Sequence, residues 1–221
     1  MEVHSQRSIF LNGEGDQWHS RNGLNKQTEL DHLDSVIHQF LHSCNSVLEV
    51  GCADGRRLSR IRNRFKEISL LVGIDPSRSA ISSGLNQFID LDLRVGTADA
   101  LPQGETFDAV IIGFCLYLCD RDLLSKIVSE VDRVLKDQGV LILIDFDPPH
   151  PRRRKYRHRD GVWTYKMDYS LIFSALPHFI LTSKTSMSHS SNTWVLDERE
   201  RVALWSLRKN LTGGYSEEED F

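Results

Sequence analysis

The sequence has no long hydrophobic run, since no apolar stretch among its 221 residues reaches the eighteen or more that a membrane-spanning helix requires. Its first twenty residues carry scattered charges instead of the apolar core of a secretory leader. It also has no excess of one charge, because 27 Lys and Arg against 31 Asp and Glu give a formal charge of −4. We therefore expect a soluble, unprocessed chain whose overall charge requires neither nucleic acid nor an acidic membrane surface.

Cysteine is scarce too, with four residues and no C-x-x-C pair. All four lie in or beside apolar segments: Cys44, Cys52, Cys115 and Cys119. This placement favours buried free thiols in a reducing compartment over disulfides or zinc, and we expect the cytoplasm. The histidines of HQFLH (38–42) have the helical spacing of a zinc pair, but glutamine replaces the glutamate of H-E-x-x-H, so we expect no metal site.

The chain alternates between strand-like and helix-like segments. Apolar strand patterns occupy 46–50, 70–75, 91–95, 108–113 and 140–146. Helical spacing predicts helices over 29–43, around 58–65, over 77–88 with an interruption at Gly84, and over 120–136. Five strands separated by helices imply crossover connections and a parallel sheet. Two later segments, 179–187 and 201–209, predict the arms of a hairpin.

A hydrophobic content of 40% over 221 residues is enough for one sizeable domain and short of two. We expect a single domain over 1–211 and a disordered acidic tail over 212–221. The Pro-rich, basic and aromatic segment 147–170 departs from the strand and helix alternation, as does the stretch 1–28. We interpret 147–170 as an insertion that covers the substrate and 1–28 as a lid.

The stretch VLEVGCADGRRL (47–58) places a glycine-bounded turn between a strand and a helix, where free backbone N–H groups bind ligands. It lacks the G-x-G-x-x-G pattern of a diphosphate site and carries Glu49 at the strand end. A diphosphate near that carboxylate would cost on the order of several kcal/mol, whereas an ammonium group would gain. Asp75 ends the second strand, about twenty residues further on, where a carboxylate can accept both hydroxyls of an adenosine ribose. These residues favour a cation-bearing nucleoside such as S-adenosylmethionine and rank a nicotinamide oxidoreductase last.

Five successive motifs resemble those of class I S-adenosylmethionine-dependent methyltransferases in order and spacing: VLEVGCADG, GIDPS, VGTADALP, FDAVIIGFCLYLCD and RVLKDQGVLILIDF. The resemblance covers about residues 30 to 147. It implies an α/β, Rossmann-like class I methyltransferase fold with a mainly parallel seven-stranded sheet, a C-terminal antiparallel hairpin strand and helices on both faces. It also implies S-adenosylmethionine as the cofactor.

Position by position, the resemblance implies cofactor contacts at the ends of the first four strands. The methionine part is assigned to Glu49, Gly51, Ala53 and Gly55, the ribose to Asp75, the adenine to Pro76, Thr97, Ala98 and Asp99, and the cofactor's other side to Gly113 and Phe114. Two positions depart from the family pattern. Ala53 replaces a usual glycine, which is tolerable at a negative φ, and Thr97 replaces an aspartate that often accepts from adenine.

Methyl transfer from a sulfonium requires alignment of the acceptor and exclusion of water, and a hydroxyl acceptor also profits from a base. The candidate bases are Tyr117, Asp120, Asp145, His150 and His158, of which we favour Tyr117 and His158 as catalytic residues. The residues expected to contact the acceptor are Trp18, Arg21, Asp120, Asp145, His150, Tyr165, Lys166 and Asp168. The pattern at 165–169 fits an edge strand with alternating faces equally well.

The sequence leaves the acceptor open. Segments outside the cofactor motifs resemble those of uncharacterised or surface-polysaccharide-associated methyltransferases: IFLNGEGDQWHSRN (9–22), GFCLYLCDRD (113–122), DFDPP (145–149) and YKMDYS (165–170). This resemblance does not carry a substrate over, and we expect the acceptor to be a hydroxyl or amine of a small molecule or saccharide. The basic loop RRRKYRHR (152–159) fits either an RNA contact, with Tyr156 and Trp163 for stacking, or a solvated charge run. An RNA-modifying or RNA-binding protein is therefore the alternative, and both a monomer and a homodimer are compatible with the sequence.

Overall fold

A seven-stranded sheet forms the centre of the computed structural model, which describes residues 5–22, 31–191 and 193–215. The strands are β1 (Ser46–Val50), β2 (Leu70–Asp75), β3 (Asp92–Val95), β4 (Phe107–Gly113), β5 (Leu135–Phe146), β6 (Arg152–Lys155), β7 (Trp163–Lys166), β8 (Phe179–Ser188) and β9 (Arg201–Lys209). The sheet has the order β3-β2-β1-β4-β5-β9-β8. Strands β1 to β5 pair in parallel, and β9 runs antiparallel to both β5 and β8. The predicted mainly parallel sheet with a C-terminal antiparallel strand is confirmed.

Helices cover both faces of this sheet, as predicted. They are α1 (Gln6–Ile9), α2 (Gly15–Asn22), α3 (Asp31–His38), α4 (Arg56–Arg64), α5 (Arg78–Gln87), α6 (Leu124–Val134) and α7 (Ser170–Ser174), with a π-helical turn at Phe10–Glu14. On one face Leu48 of β1 belongs to the apolar cluster that contains Val131 of α6. On the other face Val47 belongs to the cluster of Leu33 of α3 and Ile61 of α4. No helix in the described ranges is both long and apolar enough to cross a bilayer.

Three helices differ from the predictions. The interruption expected at Gly84 is wrong, because α5 runs through it and a Cβ there would lie 2.4 Å from the backbone oxygen of Asp54. Glycine at this position lets α5 approach the turn after β1. The helix expected over 120–136 begins only at Leu124, after a 3-10 turn at Arg121–Leu123. The helix expected over 29–43 is described from Asp31 to His38, and residues 23–30 lie outside the described part of the chain.

The expected insertion 147–170 contains the hairpin of β6 and β7, which forms its own two-stranded sheet. Of the two interpretations of 165–169, the strand pattern is the one found for Tyr165 and Lys166. The N-terminal segment, which we define as residues 5–22, packs against α5, since α2 and α5 are in contact. Residues 1–4 and 23–28 of the expected lid and residues 216–221 of the expected tail lie outside the described residues.

Candidate functional site

The turn between β1 and α4 has three residues with left-handed backbone. Gly51 has φ +78° and Gly55 has φ +79°, and a Cβ on Gly51 would lie 3.1 Å from Cys115 Cβ. Ala53 has φ +49°, so the negative φ that would make alanine tolerable there is not found. An L-residue in this region costs about 1–2 kcal/mol. The hydrogen bond from Ala53 N to Asp75 Oδ2, at 2.9 Å, helps to hold this conformation.

Asp75 at the end of β2 connects this turn to the start of α5. Its two carboxylate oxygens accept hydrogen bonds from Ala53 N at 2.9 Å and from Ser77 N at 2.8 Å. Burial raises the pKa of Asp75 to about 6, although both hydrogen bonds act to lower it. The carboxylate is therefore fixed in position and charged at neutral pH.

A cavity lies at the carboxyl ends of the parallel strands, where sheets of this kind bind their ligands. Ten of its lining residues belong to the predicted site: Trp18, Gly51, Asp75, Pro76, Thr97, Ala98, Asp99, Gly113, Phe114 and Asp120. Arg7, Phe10, Cys115 and Cys119 also line it and were not predicted. The lining residues come from the carboxyl ends of β1, β2, β3 and β4 and from the N-terminal segment, and they lie together only in the folded chain.

Three of the predicted cofactor residues do not line this cavity: Glu49, Ala53 and Gly55. A Cβ on Gly55 would lie 2.9 Å from the side chain of Leu93, so this glycine permits close packing. Glu49 is 1% exposed and forms an ion pair with Arg57 of α4, which also contacts Asp34 at 3.3 Å. Burial raises the pKa of Glu49, and Arg57 offsets this rise only in part.

Arg57 changes the electrostatic argument made from the sequence. An uncompensated carboxylate at the end of β1 was the expected reason for choosing a cationic ligand, but the charge of Glu49 is paired. Glu49 Oε2 nevertheless has no hydrogen-bond partner among the described residues, which leaves one buried acceptor next to Gly51. The guanidinium of Arg57 lies beside Gly113, where a Cβ would come within 2.9 Å of its Nη1. The turn thus offers an acceptor and a cation close together, which the sequence pattern did not indicate.

The N-terminal segment crosses the cavity and is held at both ends. The backbone N–H groups of Gln6 and Arg7 each donate to the carboxylate of Asp120 at 2.8 Å. Arg7 also forms an ion pair with Asp99 at 3.0 Å. Further along, Asp16 accepts from Ser77 Oγ at 2.7 Å at the start of α5. Asp120, predicted as an acceptor-binding residue, uses both oxygens to hold this segment.

Phe114, which lines the cavity, also belongs to a group of rings around Phe146. The ring of Phe146 lies 5.8 Å from that of Phe114 and 5.2 Å from that of Tyr117, measured between centroids. His189, from the loop after β8, stacks on Phe146 at 6.3 Å with an interplanar angle of 6°. Lys166 Nζ lies 3.2 Å from the centroid of the same ring. We call these four rings the aromatic wall: Phe114, Tyr117, Phe146 and His189.

Two titratable groups at the aromatic wall are shifted by burial. Burial raises the pKa of Asp145 to about 7, and its oxygens accept from Tyr117 N at 3.2 Å and Phe146 N at 2.8 Å. Burial also raises the pKa of Tyr117 well above its ordinary value. The phenol is therefore protonated at neutral pH and acts as a hydrogen-bond donor more readily than as a base.

The remaining predicted residues lie outside the cavity lining. His150 and His158 are exposed, and His158 sits in the turn between β6 and β7 with its ring 5.3 Å from that of Tyr156. Asp168 accepts from the backbone N–H of Ser170 at 3.0 Å at the start of α7. The remaining two are Tyr165, whose ring lies 4.4 Å from the Arg121 guanidinium carbon, and Arg21, which donates to Tyr156 OH at 3.0 Å.

Comparison with known proteins gives a match to a family model, a relative that is similar in sequence, and solved structures that are similar in fold. Residues 47–139 match the family model described as "Methyltransferase domain". The dTDP-4-amino-2,3,4,6-tetradeoxy-D-glucose N,N-dimethyltransferase of Saccharopolyspora spinosa is 23% identical over 176 residues, which are 77% of this chain and 67% of that protein. The solved structure of 1,6-didemethyltoxoflavin-N1-methyltransferase from Burkholderia thailandensis, with bound 1,6-didemethyltoxoflavin and S-adenosylhomocysteine, has a TM-score of 0.71 and 14% identity, covering 92% of this chain and 87% of that one.

A second solved structure also has a similar fold. The N-methyltransferase NodS from Bradyrhizobium japonicum, in complex with S-adenosylhomocysteine, has a TM-score of 0.66 and 17% identity, covering 87% of this chain and 97% of that one. At such identities the structural likeness shows the fold, and a fold alone does not determine a reaction. The family match covers the turn after β1 and strands β2 to β4, so residues 47–139 are similar to a methyltransferase domain, and the chain has the fold of these two solved methyltransferases.

Proposed function

We propose that the protein transfers a methyl group from S-adenosylmethionine to an amine or hydroxyl of a small molecule or saccharide-type acceptor. The observation that carries the proposal is the cavity with the fixed carboxylate of Asp75 in its wall. Behind the same turn, Glu49 Oε2 has no hydrogen-bond partner among the described residues. The name of the Saccharopolyspora spinosa relative describes dimethylation of an amino sugar nucleotide, which supports an amine on a saccharide as the first acceptor to test.

The residues present fit this cofactor. The carboxylate of Asp75 has the charge and position to accept ribose hydroxyls, while Ala98 and Phe114 give the cavity apolar walls for a purine. Glu49 Oε2 is a buried acceptor suited to an ammonium group, and the Arg57 guanidinium nearby suits a carboxylate. When bound, S-adenosylmethionine supplies a methyl group on a positively charged sulfur.

The aromatic wall would orient the acceptor, and the N-terminal segment would exclude water from the cavity. Tyr117, whose raised pKa keeps it protonated, would donate a hydrogen bond to the acceptor rather than remove its proton. Asp145 acts behind the wall as a positioning residue, because it accepts from the backbone N–H groups of Tyr117 and Phe146. The exposed position of His158 does not support it as the base.

Calorimetric titration with S-adenosylmethionine and S-adenosylhomocysteine tests the cofactor assignment. We expect binding to the native chain and at least about tenfold weaker binding to Asp75→Asn, since hydrogen bonds to a charged group are worth about 1.5–3 kcal/mol. Asp90→Asn is the matched control, because that side chain is 61% exposed and lies on the loop before β3. No heat with either ligand would contradict the proposed function, whereas unchanged affinity in Asp75→Asn would remove only the ribose assignment.

The acceptor class is tested with a labelled methyl donor. An amino sugar nucleotide, the corresponding hydroxyl sugar and a short single-stranded RNA are offered in parallel to the native chain. We expect label on the amine or the hydroxyl sugar. Label on the RNA alone would replace this proposal with the RNA-modifying alternative. A fluorescence titration with NADH should give no saturable change.

A further inference from the structure

The hairpin of β6 and β7 separates its basic residues onto two faces. Directly opposite residues of an antiparallel pair share a face, and successive residues alternate. Arg152 pairs with Lys166 and Arg154 pairs with Thr164, so these four side chains lie on one face. The other face carries the partners of the alternate pairs: Arg153 with Tyr165 and Lys155 with Trp163. We call Arg152, Arg154 and Lys166 the cationic face.

The cationic face is the one that adjoins the aromatic wall. Lys166 Nζ lies 3.2 Å from the centroid of Phe146, and Phe146 contacts Phe114 in the cavity wall. Thr164, on the same face, is only 3% exposed, whereas Arg152 and Arg154 of this face are exposed to solvent. On the opposite face the guanidinium of Arg153 lies 4.8 Å from the ring of Trp163. Lys166 therefore lies at the aromatic wall, and Arg152 and Arg154 share its face of the hairpin.

The positive charge of this face is poorly compensated. In the ranges that the structure describes, neither Arg154 nor Lys166 has a carboxylate oxygen within 4.0 Å. Arg152 approaches Glu198 only at 3.8 Å, with both side chains close to half exposed. Burial lowers the pKa of Lys166 to about 8; the neighbouring Arg154 and Arg152 contribute to this shift, whereas Asp145 and Glu200 oppose it. Cations held together in this way gain from an anion that binds between them.

We propose that the cationic face binds a phosphate or diphosphate group of the methyl acceptor, an inference that rests on the proposed function for its link to methyl transfer. Residues two apart on a strand are about 7 Å apart, so Arg152 and Arg154 span a diphosphate with Lys166 opposite. An acceptor bound in this way would place its non-phosphorylated part on the aromatic wall. A polynucleotide would instead engage the basic side chains of both faces, because the phosphate backbone attracts every accessible cation.

Binding of inorganic pyrophosphate and thymidine diphosphate to the full chain, in the presence of saturating S-adenosylhomocysteine, tests this inference by calorimetry. We expect both probes to bind, with affinity reduced at least about tenfold in Lys166→Met and in Arg154→Gln. Lys155→Met is the matched control, since it removes the same charge from the opposite face of the same hairpin and should leave the affinity within about twofold. A second readout is the inhibition of methyl transfer by pyrophosphate, which should raise the apparent KM for the acceptor.

Equal losses in Lys166→Met and Lys155→Met, or no binding of either probe, would overturn the inference. Tighter binding of a twenty-nucleotide single-stranded RNA, with Lys155 contributing as much as Lys166, would also overturn it in favour of a nucleic-acid surface. The titrations are repeated without S-adenosylhomocysteine. If pyrophosphate binds but S-adenosylhomocysteine does not, the proposed function is contradicted and the anion site is retained. If S-adenosylhomocysteine binds but pyrophosphate does not, only the anion site is contradicted.

Discussion

Replacing Arg57 with methionine should strongly destabilise the fold. Methionine retains an apolar stem of similar length but removes the charge that lies between two buried carboxylates, Glu49 at 1% and Asp34 at 4% exposure. Asp34 keeps Arg60 as an ion-pair partner, whereas Glu49 loses the only cation that it contacts in the described residues. The perturbation therefore leaves one uncompensated charge in the interior.

Removal of one member of a buried ion pair costs about 3–5 kcal/mol. For a domain of this length, each kcal/mol lowers the melting temperature by about 2–4 °C, so Arg57→Met should lower it by about 6–20 °C. The loss should be smaller at pH 5 than at pH 8. Burial already raises the pKa of Glu49, and loss of Arg57 raises it further, so the stability of the variant is lost as the pH rises through that pKa.

Calorimetric melting of the native chain and the variant at pH 5 and pH 8 measures the effect. Arg64→Met is the matched control on the same helix, because Arg64 is exposed and its loss should change stability by less than about 0.5 kcal/mol. The double variant Glu49→Gln with Arg57→Met should recover much of the stability, since neither side chain is then charged. A shift in Arg57→Met no larger than that in Arg64→Met, or no recovery in the double variant, would refute the reasoning.

Two further predictions concern the N-terminal segment and the aromatic wall. Asp120→Asn should speed hydrogen exchange at the backbone N–H groups of Gln6 and Arg7 by roughly tenfold or more. Each of these groups donates to the carboxylate at 2.8 Å, and such hydrogen bonds are worth about 1.5–3 kcal/mol. Unchanged exchange would show that these hydrogen bonds do not hold the N-terminal segment. The raised pKa of Asp145, about 7 against 3.8 for the free group, makes its stability contribution greatest below pH 4 and smaller as the pH rises towards 7. Urea unfolding of Asp145→Asn should therefore gain about 3 kcal/mol relative to the native chain between pH 5 and pH 8, and a constant difference would contradict the shift.

The strands and the glycine turn were predictable because their signals are local. β1, β2, β4 and the hairpin arms are continuous apolar or alternating segments, and their observed bounds differ from the predicted ones by at most one residue. The site residues at strand ends followed from the rule that parallel strands bring their carboxyl ends together. Gly84 shows the limit of this reasoning, since its packing against Asp54 depends on a contact that no local pattern encodes.

The parts of the site that were missed come from elements distant in sequence. His189 stacks on Phe146 only because β8 and β9 return to the edge of β5, and Arg7 reaches Asp99 only because the N-terminal segment crosses the cavity. No local pattern distinguishes Arg57 from the other arginines of α4. A signal was nevertheless available: a helix whose first turn packs on a buried glutamate needs a cation there.

By itself the sequence determined the sheet, the turn after β1 and the positions of the carboxylates at the strand ends, because side-chain periodicity and glycine placement act over a few residues. The tertiary structure decided which of those groups are charged, paired or reachable. Glu49 is paired with Arg57, Tyr117 is kept protonated, and the basic loop is divided into two faces. Burial and long-range pairing set these properties, and both exist only once distant segments have packed against one another.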